Sequence, residues 1–207
     1  MKNISVLLFL LITLALNAQN NKTSGLNARQ FHKYWKVESE SPDYKVTFLG
    51  DTVEILSPKG LTLWRKEKMS GKVTIEYDAC VVVEVEGDRL SDLNCFWMAS
   101  DPQYPDNIWK REKWRSGIFL NCYSLQLYYM GCGGNHNSTT RFRRYDGNEA
   151  AITNAKARPA ILKEYTDADH LLEANKWYHI KITNENNRVS YYINGVRLVD
   201  FRDAAPL

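Results

Sequence analysis

Residues that punctuate or specialise a chain are scarce in this sequence: 6 Pro, 11 Gly, 4 His and 4 Cys among 207 residues. So little Gly and Pro excludes collagen-like and low-complexity chains, and 44% hydrophobic with 25% charged residues excludes a wholly disordered one. A dominant charge is missing as well. The 27 Lys and Arg stand against 24 Asp and Glu, so neither nucleic acid nor an anionic membrane is the default partner, and any positive site must be local. No C-x-x-C pair occurs: Cys80, Cys95, Cys122 and Cys132 are spaced by 15, 27 and 10 residues, which argues against a zinc site. No repeat of ~40 residues marks a propeller.

Long apolar runs are limited to one. Lys2 and Asn3 precede Ile4 to Leu16, broken only by Ser5 and Thr13, and Asn17-Ala18-Gln19 offers a small residue for cleavage. These 13 residues fall short of the ~20 needed to span a bilayer, so residues 1–18 read as a cleavable signal peptide rather than a membrane anchor. The protein is therefore expected to be secreted or periplasmic, with no membrane span after cleavage. Residues 19–28 form a polar, flexible leader, and residues 29–207 a single domain. Export permits disulfides, and four Cys allow three pairings; all four lie within or beside apolar strand-like runs, where buried free thiols are an equal alternative.

What is abundant is aromatic: 12 Tyr, 7 Phe and 6 Trp, side chains that favour strands. Short alternating runs cover residues 44–48, 52–56 and 60–64, separated by Gly50-Asp51 and Pro58-Lys59-Gly60. In the longer run from Lys72 to Val85, Val73, Ile75, Tyr77, Ala79 and Val81 share one face. Further strands are expected over residues 94–99, 117–130, 139–145 and 177–183. Arg188 to Ile193 and Val196 to Phe201 flank Asn194-Gly195, whose tolerance of positive φ predicts a type I′ hairpin pairing Tyr191 with Leu198 and Tyr192 with Arg197. Helix is confined to a turn or two at 150–156 and 167–174, the second capped by Asp167. Many short strands with few helices predict an all-β antiparallel sandwich or barrel.

Several of these segments carry a resemblance. Leu63-Trp64-Arg65-Lys66, Gly71 to Asp78, Asn94-Cys95-Phe96-Trp97-Met98, Thr140-Arg141-Phe142-Arg143-Arg144, and Trp177-Tyr178-His179-Ile180 followed by Tyr191-Tyr192-Ile193-Asn194-Gly195 resemble the concanavalin A-like lectin/glucanase jelly rolls. The run Tyr128 to Tyr145 is similar to a branch without assigned function among secreted proteins of glycan-degrading Gram-negative bacteria. The resemblance spans roughly residues 45–201 and implies two packed antiparallel sheets, one face of which binds or cleaves sugar chains. It also implies a Gly-rich strand that returns to the sheet after the hairpin, and the stop at Leu207 leaves open whether that strand is missing.

A sugar groove needs aromatic planes for pyranose faces and amides, carboxylates or guanidinium groups for hydroxyls; uronates add a demand for Arg, whose planar fork matches a carboxylate. Asn135, His136 and Asn137 follow the Gly131-Cys132-Gly133-Gly134 turn on a loop. Arg141, Arg143 and Tyr145 share one face of the next strand, opposite Phe142, and either solvate that face or form an anion-accepting sugar site. Asn94 and Trp97 complete the substrate-binding candidates, and Trp109 and Trp114 lie on a rim loop.

Two catalytic chemistries were weighed against this pattern. Retaining glucanases of the superfamily need Glu-x-Asp-x-Glu or a close variant, which sets two carboxyl groups about 5 to 5.5 Å apart. Here Glu76-Tyr77-Asp78 is followed by Ala79-Cys80-Val81, so the second Glu is absent and a polar outer face is the better account. A polysaccharide lyase instead needs a cation beside the uronate carboxylate and a base for the C5 proton. Arg141 or Arg143 with Asn135 or Asn137 could neutralise, and His136, Tyr128 or Tyr145 could act as base or acid; an exposed loop residue is the plainer account of His136. Asp101, Asp106 and Asn107 do not match a calcium loop, so neither metal nor cofactor is expected. The sequence thus predicts a carbohydrate-active protein whose partner is a polysaccharide or oligosaccharide. It acts either as a lyase or hydrolase of acidic glycans or as a non-catalytic lectin-like module.

Overall fold

The protein was analysed as a computed structural model, which describes residues 4–6 and 28–207. The signal-peptide and leader segments lie outside the described residues, except for Ile4–Val6 and Ala28. In chain order the strands are β1 (Ile4–Val6), β2 (Trp35–Ser39), β3 (Lys45–Leu49), β4 (Thr52–Ser57), β5 (Leu61–Arg65), β6 (Val73–Cys80) and β7 (Leu93–Ser100). There follow β8 (Gln126–Gly133), β9 (Thr139–Asp146), β10 (Lys163–Tyr165), β11 (Trp177–Glu185), β12 (Arg188–Ile193) and β13 (Val196–Arg202). One helix of seven residues, α1 (Ala28–Tyr34), precedes β2; the remaining helical pieces are single turns.

Two four-stranded antiparallel sheets, β10-β9-β8-β7 and β13-β12-β11-β6, face each other. The N-terminal strands form the smaller groups β1-β4-β3 and β2-β5. Between the large sheets lies the main core. Trp97, Tyr128, Met130 and Phe142 enter it from one side, and Tyr77, Ile180, Ile182 and Tyr191 from the other. Trp97 stacks on Phe142 and on Tyr191, each at 6.1 Å between centroids, so the indole joins the two layers. Each such side chain stabilises the fold by roughly 1.5–3 kcal/mol relative to exposure. The architecture is an antiparallel β-sandwich, as the alternation predicts.

Strand parity explains which residues enter the core. On β6, Val73, Tyr77 and Ala79 are buried, while Glu76 and Asp78 point outward, where they pair with Lys181 (2.7 Å) and His179 (2.9 Å) of β11. The glucanase-like carboxylates thus stand on the outside of the sandwich. The final hairpin turns at Asn194 and Gly195 with φ of 50° and 80°. A bulge between Tyr191 and Tyr192 puts Tyr191 opposite Val199 instead of Leu198, whereas Tyr192 does face Arg197.

Other expectations need correction. The strand predicted over 117–130 begins only at Gln126; Phe119–Ser124 form a 3₁₀ turn that reverses the chain over the sheet. The Gly131-to-Gly134 turn begins later, because Gly131, Cys132 and Gly133 belong to β8. Residues 167–174 hold one 3₁₀ turn, since Asp167 bonds the His170 ring (2.5 Å) instead of capping a backbone N–H. Helix α1 and strand β2 were not anticipated. All four Cys are free thiols.

The segment after β13 is tied to the core by one carboxylate. Asp203, nearly buried, accepts from the Tyr128 hydroxyl (2.7 Å), Arg144 Nε (2.6 Å) and the Ala205 N–H (2.9 Å). Burial alone would raise its carboxyl, but these donors outweigh it and hold the group below its ordinary range. A depressed carboxyl stabilises the fold above its unfolded value, about 3.9, and loses that contribution as pH falls through the folded value. Asp203→Asn is therefore expected to lower stability by about 1.5–3 kcal/mol at neutral pH and to flatten the acid limb of the pH–stability curve. Urea unfolding between about pH 3 and 7 checks this; parallel curves for the two proteins would contradict it.

Candidate functional site

The sheet β10-β9-β8-β7 has a second face, and its residues follow from register. Asn94 lies opposite Gly131, Phe96 opposite Tyr129, Tyr129 opposite Arg143, Gly131 opposite Arg141, and Leu127 opposite Tyr145. Directly opposed residues share a face, so Asn94, Phe96, Tyr129, Arg141, Arg143 and Tyr145 all lie on the side away from the main core. This face carries a second apolar cluster of its own, roofed by Tyr123 and Ala151 at the Leu127 and Tyr145 end.

The floor is aromatic and continuous. Trp64 of β5 stacks on Phe96 (5.9 Å, 15° between planes), Phe96 meets Tyr129 (5.5 Å), Tyr129 meets Tyr145 (5.5 Å), and Tyr145 meets Tyr123 (4.8 Å). Phe119 closes on both Phe96 and Tyr129. The Tyr129 ring lies over Gly131, with its hydroxyl 3.1 Å from Asn94 Oδ1. A Cβ at position 131 would run into that hydroxyl, so glycine here makes room for the ring.

The chain between β7 and β8 lies over this floor and is held, among the described residues, by four ion pairs, including Lys36 of β2 with Glu112 and Arg111 with Glu149. Asp101, fully buried, takes Arg111 in a bidentate pair at 2.8 and 2.9 Å, which occupies both oxygens considered for calcium. Arg115, fully buried, reaches Glu38 of β2 at 2.6 and 3.2 Å and lies over the Trp64 ring. Burial raises the Glu38 carboxyl, and the Arg115 bonds offset this only in part. Among the described residues no three His, Cys, Asp or Glu side chains group to hold a metal ion.

A cavity of about 1100 Å³ opens beside the unpaired edge of β7, between the sheet and β5. Phe96, Trp64, Trp109, Tyr129, Arg143 and Asn94 are among its walls. At its mouth, Asn135, His136 and Asn137 form a left-handed turn, with φ of 52°, 58° and 57°. Only Asn tolerates that region readily, which leaves His136 strained by roughly 1–2 kcal/mol. Asn137 closes the turn by bonding both the N–H and the C=O of Leu172, each at 2.8 Å. His136 and Asn135 stay exposed.

The predicted site residues therefore divide. Asn94, Asn135, His136, Arg141, Arg143 and Tyr145 line the cavity. Arg141 is ion-paired with Glu164 of β10, and Arg143 donates to the Pro159 carbonyl. Tyr145 is only 1% exposed, so it serves as floor rather than as a reaching side chain. Tyr128 is corrected outright, and Trp97, which the cavity also reaches, belongs chiefly to the core. Both point into the main core, because they lie one residue out of phase with Tyr129 and Phe96. Burial, with the bond to Asp203, pushes the Tyr128 phenol up to about 12, and burial also raises the Tyr129 and Tyr145 hydroxyls well above the ordinary range. Asn137 is consumed by its clamp. Phe96, Tyr129 and Trp64 were missed, though the Arg141 and Arg143 parity would have found Tyr129 had the β8–β9 register been known.

Two substitutions probe this arrangement. Gly131→Ala is expected to displace the Tyr129 ring and lower stability by about 1–3 kcal/mol, seen as a reduced denaturation midpoint and altered near-UV dichroism. An unchanged spectrum would contradict the packing. Arg115→Met leaves Glu38 buried and alone, an expected loss of about 3–5 kcal/mol, whereas Glu38→Met with Arg115→Met recovers most of it. Equilibrium unfolding of both variants decides, and a single variant as stable as the parent would refute it.

The sandwich is similar to known structures. A protein of unknown function with galectin-like fold from Bacillus subtilis superposes with a TM-score of 0.52 at 12% identity, over 87% of this chain and 79% of that chain. The carbohydrate binding module CBM66 from Bacillus subtilis gives a TM-score of 0.40 at 13% identity, over 83% and 80% of the two chains. The first likeness concerns fold alone. No curated protein matches the chain. Residues 55–207, from β4 through the hairpin to the end, match the family described as Domain of unknown function (DUF6250), and the chain belongs to that family.

Proposed function

We propose that this protein is an exported, non-catalytic glycan-binding module whose ligand occupies the cavity beside β7. One observation carries the reading: the Trp64, Phe96 and Tyr129 rings line that cavity together with Trp109, and hydrogen-bonding Asn94 and Arg143 share its wall. Flat apolar rings ringed by a few polar groups match the two chemistries of a pyranose, its C–H face and its hydroxyls. About 1100 Å³ accommodates a short oligosaccharide rather than a single sugar.

Binding is favoured over β-elimination by the disposition of the bases. Of the residues proposed to move a proton, Tyr128 lies on the far side of the sheet, and the Tyr145 hydroxyl is raised by burial, as is that of the neighbouring Tyr129. A lyase base must instead be free to deprotonate near neutral pH. His136, exposed at the mouth, has no partner among the described residues that would orient it toward a substrate.

Trp109 is partly exposed and reached by Lys36, 5.2 Å from its ring, so it can be removed with little risk to the core. Trp109→Ala is expected to weaken binding to a retained polysaccharide about ten-fold, equivalent to about 1.4 kcal/mol. Affinity electrophoresis against a panel of neutral and acidic polysaccharides measures this. Absence of retardation by every polymer would refute the reading, and so would formation of unsaturated products during incubation.

A further inference from the structure

The side chains lining the cavity are unlike the rest of the chain in charge. Eight are Lys or Arg and three are Asp or Glu, an excess of five, whereas the whole chain has an excess of three. Outside the cavity acids therefore outnumber bases, 21 to 19. The positive surplus of the protein is concentrated where its aromatic floor is. A low-dielectric wall around such a surplus strengthens its field at the ligand.

Pairing sharpens the contrast. Most arginines here have a carboxylate partner: Arg65 with Glu67, Arg89 with Asp92, Arg115 with Glu38, Arg141 with Glu164 and Arg188 with Asp200. Arg143 and Arg158 have none among the described residues. Arg143 has one guanidinium nitrogen on the Pro159 carbonyl, and Arg158 lies over the Tyr123 ring at 5.6 Å. Arg143 stands opposite Tyr129, so its guanidinium rises from the aromatic floor where a stacked sugar would lie. The Tyr145 hydroxyl beneath it is buried with no hydrogen-bond partner among the described residues.

We infer that the glycan held in this cavity carries carboxylates, as uronic acid residues do, and that Arg143 is the residue that reads them. A planar fork with its remaining N–H groups free accepts a carboxylate in two parallel bonds, and Arg141 cannot compete while Glu164 neutralises it. This inference rests on the glycan-binding reading and adds the ligand class and the specificity residue.

The test compares uronans with their carboxyl-reduced counterparts, which keep linkage and ring but replace each carboxylate by a neutral hydroxymethyl. The panel includes polygalacturonate, alginate and glucuronoxylan, with dextran and dextran sulfate as a polyanion control, and titration calorimetry gives the affinities. At least one uronan is expected to bind about ten-fold or more tightly than its reduced partner. In Arg143→Gln that ratio is expected to collapse toward one; if this variant unfolds, Arg143→Lys, which keeps the charge but loses the fork, is expected to lower the ratio at least about three-fold. Reduced polymers that bind as well as the acids would overturn the inference while leaving glycan binding intact. Equal preference for dextran sulfate, or a wild-type ratio in a folded Arg143 variant, would overturn the assignment to a carboxylate read by Arg143. Failure to bind any polymer would instead remove the glycan reading on which it stands.

Discussion

The structure depends on one sheet that is buried on both faces. Strands β7, β8 and β9 turn Trp97, Tyr128 and Phe142 into the sandwich core and Phe96, Tyr129 and Tyr145 toward a second aromatic layer. Because side chains alternate, a shift of one residue exchanges the two sets. Every functional assignment follows from that phase. Tyr128 and Tyr129 are adjacent in sequence and both almost fully buried, yet one ties the chain after β13 to the core and the other floors a cavity.

The second face would be an exposed aromatic patch if nothing covered it. Its cover comes from the chain between β7 and β8, which has few strand contacts of its own. Two carboxylate–guanidinium pairs, Asp101 with Arg111 and Glu38 with Arg115, fix that cover to the sheet edge and to β2. Ion pairs this deeply buried contribute little net stability over apolar replacements, but they fix geometry, since either partner alone is strongly unfavourable. The cover is incomplete near Asn94 and Arg143, and the opening is the cavity. The same physics that seals one end of the aromatic layer leaves the other end available to a ligand.

Much of the fold was legible. Alternation over Val73 to Val81 separates core from surface, and the Asn194-Gly195 turn places the hairpin, although the bulge between Tyr191 and Tyr192 depends on how two strands twist together. The resemblance to lectin-like jelly rolls and the observed sandwich agree. Less legible was Leu125 to Gly133, where burial on both faces erases the polar–apolar alternation that signals phase. The run from Gly117 reads as a strand because Phe119 and Tyr123 are strand formers; their packing over the sheet, with Leu120 left exposed, favours a 3₁₀ turn instead.

Of the site, the sequence by itself determined that Arg141, Arg143 and Tyr145 share one side of a strand, because period-two geometry is local to a single strand. It also determined the lack of a glucanase carboxylate set, since Cys80 and Val81 occupy the positions concerned. Only the tertiary structure decided which tyrosines and tryptophans join those residues, which arginine is neutralised by Glu164, and which stays unpaired. Those facts come from register and from loops crossing over the sheet. They bring together residues tens of positions apart in the chain, and no local pattern of side chains encodes such distances.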